Sequence, residues 1–185
     1  MFKEEILENE RRSRIYEFIK KNPGLHLREL QRRLNLPLTS LEYHIDYMVR
    51  KNVLFKESGK HYSRYYARHL DDEDKKILKS LRQKRLREIV IILLQKEKAK
   101  YSFLLRILDI PPSTLSFYLK YLIKNKIISK NKIGYENIYT INEKDRIAKV
   151  LITYKSSFID KLIDKTLNTW LETQFRKNPR SEERK

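Results

Sequence analysis

Cysteine is absent from the chain of 185 residues, and glycine occurs at three positions only, Gly24, Gly59 and Gly134. Without cysteine the chain has no disulfide framework, no thiolate metal site and no cysteine nucleophile. The scarcity of glycine excludes the glycine-rich phosphate loops of nucleotide-binding enzymes, because in those loops the backbone must approach a phosphate closely. All three glycines are predicted to lie at turns.

Long apolar runs are also missing. The longest wholly apolar run is IVIILL, residues 89–94, whereas a membrane-spanning helix needs about 20 apolar residues. The first residues, MFKEEILENERR, carry both charge signs and lack the apolar region of a signal peptide. We therefore expect no membrane partner and a cytoplasmic location.

Acidic residues are too few to balance the basic ones. The chain has 42 Lys and Arg against 24 Asp and Glu, which leaves a formal net charge of +18. So large an excess of positive charge destabilises a compact state by self-repulsion unless a bound polyanion neutralises it. Nucleic acid is the commonest partner of this kind. An anionic membrane surface is the alternative, and the missing membrane segments disfavour it.

What the sequence does contain is an internal repeat with an offset of 74 residues. Shifting the sequence by this offset superimposes Pro37 on Pro111, and LPLTSLEYHI (36–45) on IPPSTLSFYL (110–119). Apolar and aromatic positions match in the same register: Ile15 with Ile89, Leu30 with Leu104, Leu34 with Leu108, Leu41 with Leu115, Tyr47 with Tyr121 and Tyr65 with Tyr139. A fixed offset that preserves the pattern indicates two copies of one structural unit.

Each copy predicts three helices followed by a β-hairpin. In the first copy, one helix over RRSRIYEFIKK ends at Asn22-Pro23-Gly24, a second covers LHLRELQRRL, and a third runs from about Leu38 to Lys51. VLFKESGKHYSRYYA then predicts a hairpin that turns at Ser58-Gly59-Lys60, because residues of high β propensity flank the turn.

The second copy predicts the same order of elements. A long helix lies within DEDKKILKSLRQKRLREIVIILLQK, helices follow over YSFLLRIL and PSTLSFYLKYLIKN, and a hairpin in IISKNKIGYENIYTI turns near Gly134. A broad apolar stripe then predicts a long amphipathic helix. We predict a mainly α fold with small β-hairpins (an α+β class), with domains at 1–69 and 70–142, the amphipathic helix at 143–176 and a charged disordered tail at 177–185.

Two segments carry a resemblance to a known family. LRELQRRLNLPLTSLEYHIDYMVRKNVL and FLLRILDIPPSTLSFYLKYLIKNKII resemble the winged helix-turn-helix regulators of the MarR and arsenic-repressor type, above all archaeal transcription regulators with two such units per chain. The resemblance covers roughly residues 10–142. It implies two tandem winged helix-turn-helix domains. Appended C-terminal helices in related proteins often form a dimer, so it also implies a role in homodimerisation for the last helix.

The third helix of each copy is the candidate DNA-binding element. In a helix-turn-helix protein this helix buries one face and places the other in the DNA major groove, where donors and acceptors contact base edges. The candidates in the first copy are Thr39, Ser40, Glu42, Tyr43, His44 and Tyr47. Those in the second copy are Ser113, Thr114, Ser116, Phe117, Tyr118, Lys120, Tyr121 and Lys124.

Some of the same residues also fit structural roles, as helix caps or as packing residues. Thr39 and Glu42 have the spacing of a capping box, in which the side chains only satisfy the start of the helix. Tyr43 and Tyr47 are equally suited to packing against the hairpin. Glu42 and Asp46 also put negative charge where phosphate would lie, so we expect the second copy to supply more non-specific affinity.

The hairpins supply further candidates, because in this fold the hairpin tip commonly touches the DNA backbone or the minor groove. Lys60 and Arg64 are the candidates in the first copy, together with Lys56 and His61, and Lys130 and Lys132 in the second. The basic run from Lys75 to Arg87 is assigned to a solvated helix face. The four histidines show no ligand spacing, so we expect neither a metal site nor a cofactor.

The preferred function is a non-enzymatic, sequence-specific regulator of transcription that binds double-stranded DNA and is associated with the nucleoid. Two units would span half-sites about one helical turn, roughly 34 Å, apart. The alternatives are a tandem winged-helix adaptor in a protein complex and a chromatin-architectural protein without sequence preference. An enzyme is disfavoured because no nucleophile, base and orienting group can be assembled from the motif spacing.

Overall fold

A computed structural model describes residues 2–59, 61–67 and 69–158. The chain separates into two compact units, with the division between Leu78 and Lys79. The helices are α1 (Phe2–Leu7), α2 (Glu10–Lys21), α3 (Leu27–Leu34), α4 (Leu38–Arg50), α5 (Asp72–Leu81), α6 (Lys84–Lys96), α7 (Tyr101–Leu108), α8 (Pro112–Lys124) and α9 (Lys144–Thr153). The strands are β1 (Leu25–His26), β2 (Phe55–Ser58), β3 (Ser63–Tyr66), β4 (Lys98–Lys100), β5 (Ile128–Ile133) and β6 (Glu136–Ile141).

The first unit packs helices α2, α3 and α4 against a small antiparallel sheet with the strand order β1-β3-β2. Its core consists of apolar side chains spaced three or four residues apart on each helix, as the sequence predicts. Ile15, Ile19, Leu30, Leu41, Ile45 and Met48 are all fully buried. Truncating one such side chain to alanine lowers the free energy of unfolding by about 2–5 kcal/mol. These helix faces therefore stabilise the fold and are not available for binding.

The second unit repeats this arrangement with helices α6, α7 and α8 and a sheet of order β4-β6-β5. The repeat extends to the pairing of the strands: Leu25 opposes Tyr65 in the first sheet, and Ala99 opposes Tyr139 in the second. It also extends to left-handed backbone at the turns, which Asn35 and Asp109, and Asn52 and Lys126, adopt at equivalent positions. Each unit is therefore a winged helix, and the mainly α class with small antiparallel sheets is confirmed.

Two short strands and helix α1 were not predicted. β1 and β4 have two and three residues, too few for a periodic pattern to show, and they exist because β3 and β6 pair with them. Helix α1 precedes the predicted first helix. It places Ile6 in the core of the first unit.

The helix predicted within residues 72–96 corresponds to α6, and α5 precedes it as a separate helix that was not predicted, with a break at Arg82-Gln83. The side chain of the buried Arg87 donates a hydrogen bond of 2.6 Å from Nη1 to the carbonyl oxygen of Leu81. That bond satisfies a carbonyl that would otherwise accept from the next helical turn. The division between the units falls inside α5, whereas the sequence predicts a domain boundary before it.

The last described helix also differs from the prediction, because α9 ends at Thr153. The Ser157 hydroxyl donates to the carbonyl oxygen of Tyr154 over 2.8 Å, and the Ser157 backbone N–H donates to the same oxygen over 2.9 Å. A serine that bonds a nearby carbonyl offers the backbone an alternative to the helix, here a 3₁₀ turn at Lys155–Ser157. The rest of the predicted helix and the predicted tail lie outside the described residues.

Candidate nucleic-acid interface

Helix α4 divides its side chains cleanly between the core and the surface. Leu41, Ile45 and Met48 are buried, and the helix turns about 100° per residue. The positions on the opposite side form a line of exposed residues along the helix. We call this line the unit 1 crest; it consists of Thr39, Tyr43, Asp46 and Arg50.

Helix α8 presents the same line at the equivalent positions. Leu115, Leu119 and Leu122 are buried. The unit 2 crest, defined in the same way, consists of Ser113, Phe117, Lys120 and Lys124, all exposed. Asp46 and Arg50 are the two crest residues that were not among the sequence candidates, although the offset of 74 residues pairs them with Lys120 and Lys124.

The capping-box interpretation of Thr39 and Glu42 is wrong. Helix α4 begins at Leu38 with Pro37 as its N-cap residue, and no described side chain caps it. Thr39 therefore lies within the first turn and is exposed. Helix α8 begins the same way after Pro111, with Pro112 in its first turn. The hydroxyl groups of Thr39 and Ser113 thus lie in the first turns of their helices and do not cap them.

The most exposed side chain of each crest is aromatic. Tyr43 and Phe117 each retain 64% exposure. Each ring contacts the next residue edge to face, with centroids 5.3 Å apart for Tyr43 and His44 and 5.7 Å apart for Phe117 and Tyr118. The proposed packing of Tyr43 against the hairpin is therefore wrong.

The other aromatic candidate of α4 has a structural contact. The Arg12 guanidinium of α2 lies 4.6 Å from the ring centroid of Tyr47, and Tyr47 packs against the core of the first unit. Tyr121 is half-buried at the equivalent position, and Ser40 and Thr114 are half-buried as well. These residues flank the crests rather than belong to them.

His44 lies at the border between the crest and α2. Its Nδ1 atom is buried and has no hydrogen-bond partner among the described residues. Burial lowers the pKa of His44 first, and the neighbouring Arg12 and Arg11 charges lower it further. The imidazole is consequently held in its neutral form more strongly than a free histidine.

Ser116 has a partner that the sequence did not indicate. The Tyr101 hydroxyl of α7 lies 2.9 Å from Ser116 Oγ and donates a hydrogen bond of 2.8 Å to the carbonyl oxygen of Pro112. Position 27, the equivalent of Tyr101, is a leucine, so Glu42 has no matching hydroxyl. The third helices of the two units, α4 and α8, are therefore alike along their crests. They differ at positions 42 and 116 next to the crests, where only Ser116 has a tyrosine hydroxyl as its partner.

The charges of the two helices differ in sign. Burial raises the pKa of Tyr65 in β3, and the negative charges of Asp46 and then Glu42 raise it further. At the equivalent Tyr139, burial is again the main cause of the raised pKa, followed by Tyr101. Helix α4 thus places the carboxylates of Glu42 and Asp46 near Tyr65, whereas the equivalent positions of α8 are Ser116 and Lys120.

Comparison with known proteins finds a family model that matches most of the first unit. Residues 9–78 match the model of the HVO_0163 family described as an N-terminal HTH domain. This range includes α2, α3, α4 and the hairpin of β2 and β3, the elements that carry the unit 1 crest. The first unit is therefore similar to an N-terminal HTH domain.

A curated relative extends the likeness beyond the first helix-turn-helix unit. The chain is 30% identical over 142 residues to an uncharacterized HTH-type transcriptional regulator of Methanocaldococcus jannaschii, which covers 76% of this chain. The chain spans 35% of the length of that relative. The relative is named as an HTH-type regulator of transcription.

Two solved structures superimpose on part of this chain. HlyU from Vibrio cholerae is 20% identical, with a TM-score of 0.41 over 45% of this chain and 90% of HlyU. The transcriptional repressor PagR of Bacillus anthracis is 25% identical, with a TM-score of 0.40 over 44% of this chain and 92% of PagR. The fold assignment rests on the topology described above and not on these partial superpositions.

In the hairpin of the first unit, one predicted DNA-binding candidate makes a contact within the fold and others are exposed. Arg64 in β3 donates a 2.6 Å hydrogen bond from Nη1 to the carbonyl oxygen of Gly24, which ties the end of the hairpin to the turn after α2. Lys56 and His61 are exposed, and Lys60 lies outside the described residues. The structure thus gives Arg64 a role within the fold.

The hairpin of the second unit keeps its basic candidates in solvent. Lys130 and Lys132 are exposed on β5, where they oppose Tyr139 and Asn137 of β6. The tip adds Ile133 and Tyr135, both strongly exposed, which the sequence analysis did not single out. The apolar Ile133 and the aromatic Tyr135, on either side of the turn glycine Gly134, were the available signal.

Two further kinds of feature, membrane-spanning helices and metal-ligating clusters, are absent from the described part of the chain. No described helix is long and apolar enough to cross a membrane. Within the same residues, no group of three or more His, Asp and Glu side chains is placed to hold a metal ion. The two crests remain the surfaces with a repeated arrangement of chemistry.

Proposed function

We propose that this protein is a sequence-specific regulator of transcription that binds double-stranded DNA through both third helices. One observation carries the proposal: equivalent positions of α4 and α8 have equivalent exposure along both crests, in a chain of net charge +18. A helix that buries one face and exposes polar, basic and aromatic side chains on the other has the shape and chemistry to lie in the major groove.

The two units have different shares in the proposed binding. Lys120 and Lys124 of the unit 2 crest, with Lys130 and Lys132 of the hairpin, are suited to neutralise phosphates without regard to sequence. The unit 1 crest has Asp46 in place of a lysine, and Glu42 next to it. A carboxylate repels phosphate but accepts a hydrogen bond from cytosine N4. Unit 1 therefore contributes selectivity more than affinity.

The first experiment measures binding of the full chain to duplexes selected from a random library, with fluorescence anisotropy at several salt concentrations. A sequence-specific regulator prefers its selected duplex over unrelated DNA by about a thousandfold or more. An architectural protein binds both duplexes equally. An adaptor in a protein complex binds neither, even at low ionic strength, and this last result would contradict DNA binding as the function.

The matched variants test the position of the interface. Lys120→Ala with Lys124→Ala removes two charges from the unit 2 crest and is expected to weaken binding and to lower the salt dependence by about two phosphate contacts. Lys149→Ala with Lys155→Ala removes two exposed charges from the C-terminal part of the same unit. Equal losses in both variants would mean that net charge, and not the crest, attracts the DNA.

The proposal includes a cytoplasmic, nucleoid-associated location and a homodimer formed through the segment 143–176. Light scattering of the full chain and of a chain that ends after Phe158 tests the dimer. The shorter chain should be monomeric if the dimer is formed by the residues beyond Phe158.

A further inference from the structure

We propose that Tyr43 and Phe117 contact the 5-methyl groups of thymines at equivalent positions of two DNA half-sites. This inference rests on the proposed function and adds the base feature that the crests recognise. Both residues are candidates predicted from the sequence, without an assigned base contact.

The two rings occupy the same, outermost place on their helices. Tyr43 lies two residues after the buried Leu41 and two before the buried Ile45, which puts it about 200° from each. Phe117 has the same relation to Leu115 and Leu119. Both rings retain 64% exposure. In a groove that receives the crest, these two side chains would reach deepest.

The side chains at this position restrict what can be recognised. Phe117 has no donor or acceptor, so it cannot hydrogen-bond a base edge. In the major groove the one apolar feature that distinguishes a base pair is the methyl group of thymine, which apolar side chains such as phenylalanine contact. Tyr43 shares the ring and adds a hydroxyl group, so the ring is the chemistry that both units have in common.

The neighbouring rings prepare Tyr43 and Phe117 for this contact. Each exposed ring lies edge to face with its neighbour, His44 or Tyr118, and a side chain restricted by such a contact loses less entropy on binding. An exposed, oriented aromatic ring is also a common anchor of protein interfaces. Lys120 and Lys124 on the same crest favour DNA, since they lie one and two helical turns beyond Phe117 and match a phosphate backbone in charge.

The test uses the full chain and its selected duplex, in which each thymine is replaced in turn by deoxyuridine. This replacement removes the methyl group and keeps every hydrogen-bonding atom. Loss of one buried methyl contact weakens binding about fourfold. We expect one sensitive thymine in each half-site, at matching positions.

Variants assign each sensitive thymine to a residue. In Phe117→Ala the sensitivity to deoxyuridine should disappear in one half-site and persist in the other, and in Tyr43→Ala the pattern should be reversed. Phe117→Tyr keeps the ring and should keep the sensitivity. Circular dichroism of each variant verifies that the fold is retained, as expected for residues outside the core.

Two results would overturn the inference while DNA binding stands. In the first, the selected duplex tolerates deoxyuridine at every position, or has no thymine at matching positions. In the second, both alanine variants keep the full sensitivity of the unaltered chain, which would leave the rings to a protein partner. A chain that ignores every duplex would instead contradict the proposed function, and this inference with it.

Discussion

At the scale of the residue, His44 belongs both to the recognition surface and to the packing of the first unit. Burial and the charges of Arg12 and Arg11 lower its pKa from the ordinary value of 6.5. The folded state therefore binds the proton more weakly than the unfolded state does. By linkage, the free energy of unfolding is highest above pH 6.5 and falls as the pH decreases through the range between 6.5 and the lower pKa of the folded state.

The prediction concerns His44→Tyr, which places at this position the residue type of the equivalent Tyr118. Urea unfolding at about pH 7.5 and about pH 5.5, on either side of the ordinary histidine pKa, should show a smaller loss of unfolding free energy in this variant than in the unaltered chain. Part of the loss should remain, because the pKa of His26 is also lowered, mainly by burial and against the raising effect of Glu29. An unchanged difference between the two pH values would contradict the placement of His44.

Arg64 shows that a residue type can suggest one role, here phosphate contact, while its contacts in the structure give it another. A basic residue between aromatic neighbours in a hairpin has the composition of a phosphate contact. Its guanidinium instead donates to the carbonyl oxygen of Gly24, at a glycine with a left-handed backbone. A partner 40 residues away in the chain leaves no trace in the local sequence.

At the scale of the element, the difference between the two crests is the property with the clearest consequence. Asp46 and Lys120 occupy the same position of α4 and α8 with opposite charges. Asp46→Lys gives the unit 1 crest the charge pattern of the unit 2 crest. Affinity for unrelated DNA should rise, with a salt dependence steeper by about one phosphate contact, and the preference for the selected duplex should fall.

Anisotropy titrations with a selected and an unrelated duplex check this prediction. Glu5→Lys on α1 makes the same change of charge at an exposed position of the same unit and serves as the control. If both variants gain affinity equally, the gain reflects net charge, and the crest of α4 does not face the DNA.

The elements also show how much of the fold the sequence could predict. Helices α3, α4, α7 and α8 follow from apolar spacing and from the prolines before α4 and α8, because those signals are local. At the breaks after α5 and α9 the side chains of Arg87 and Ser157 hydrogen-bond backbone carbonyl oxygens, and apolar spacing carries no signal for these bonds. Similarly, the crests follow from periodicity, whereas the contacts of Tyr47 with Arg12 and of Ser116 with Tyr101 required the structure.

At the scale of the whole molecule, the repeat gives a single chain two units of the same kind, each with a crest proposed to bind DNA. Two tethered binding units act cooperatively, because the second binds at a high effective concentration once the first is in place. The gain can reach about 10²- to 10⁴-fold over one unit. It exists only if both crests engage the same duplex.

Footprinting of the full chain on its selected duplex tests this use of both units. Lys120→Asp with Lys124→Asp reverses the charge of the unit 2 crest. It should weaken binding by about two orders of magnitude or more and shorten the protected region at one end when the protein concentration is raised to compensate. Lys149→Asp with Lys155→Asp should keep the full footprint. If protection is lost as a whole, unit 2 alone holds the DNA; if its length is unchanged, unit 1 alone does. Either result would assign the protein one recognition helix and leave the other for a different partner.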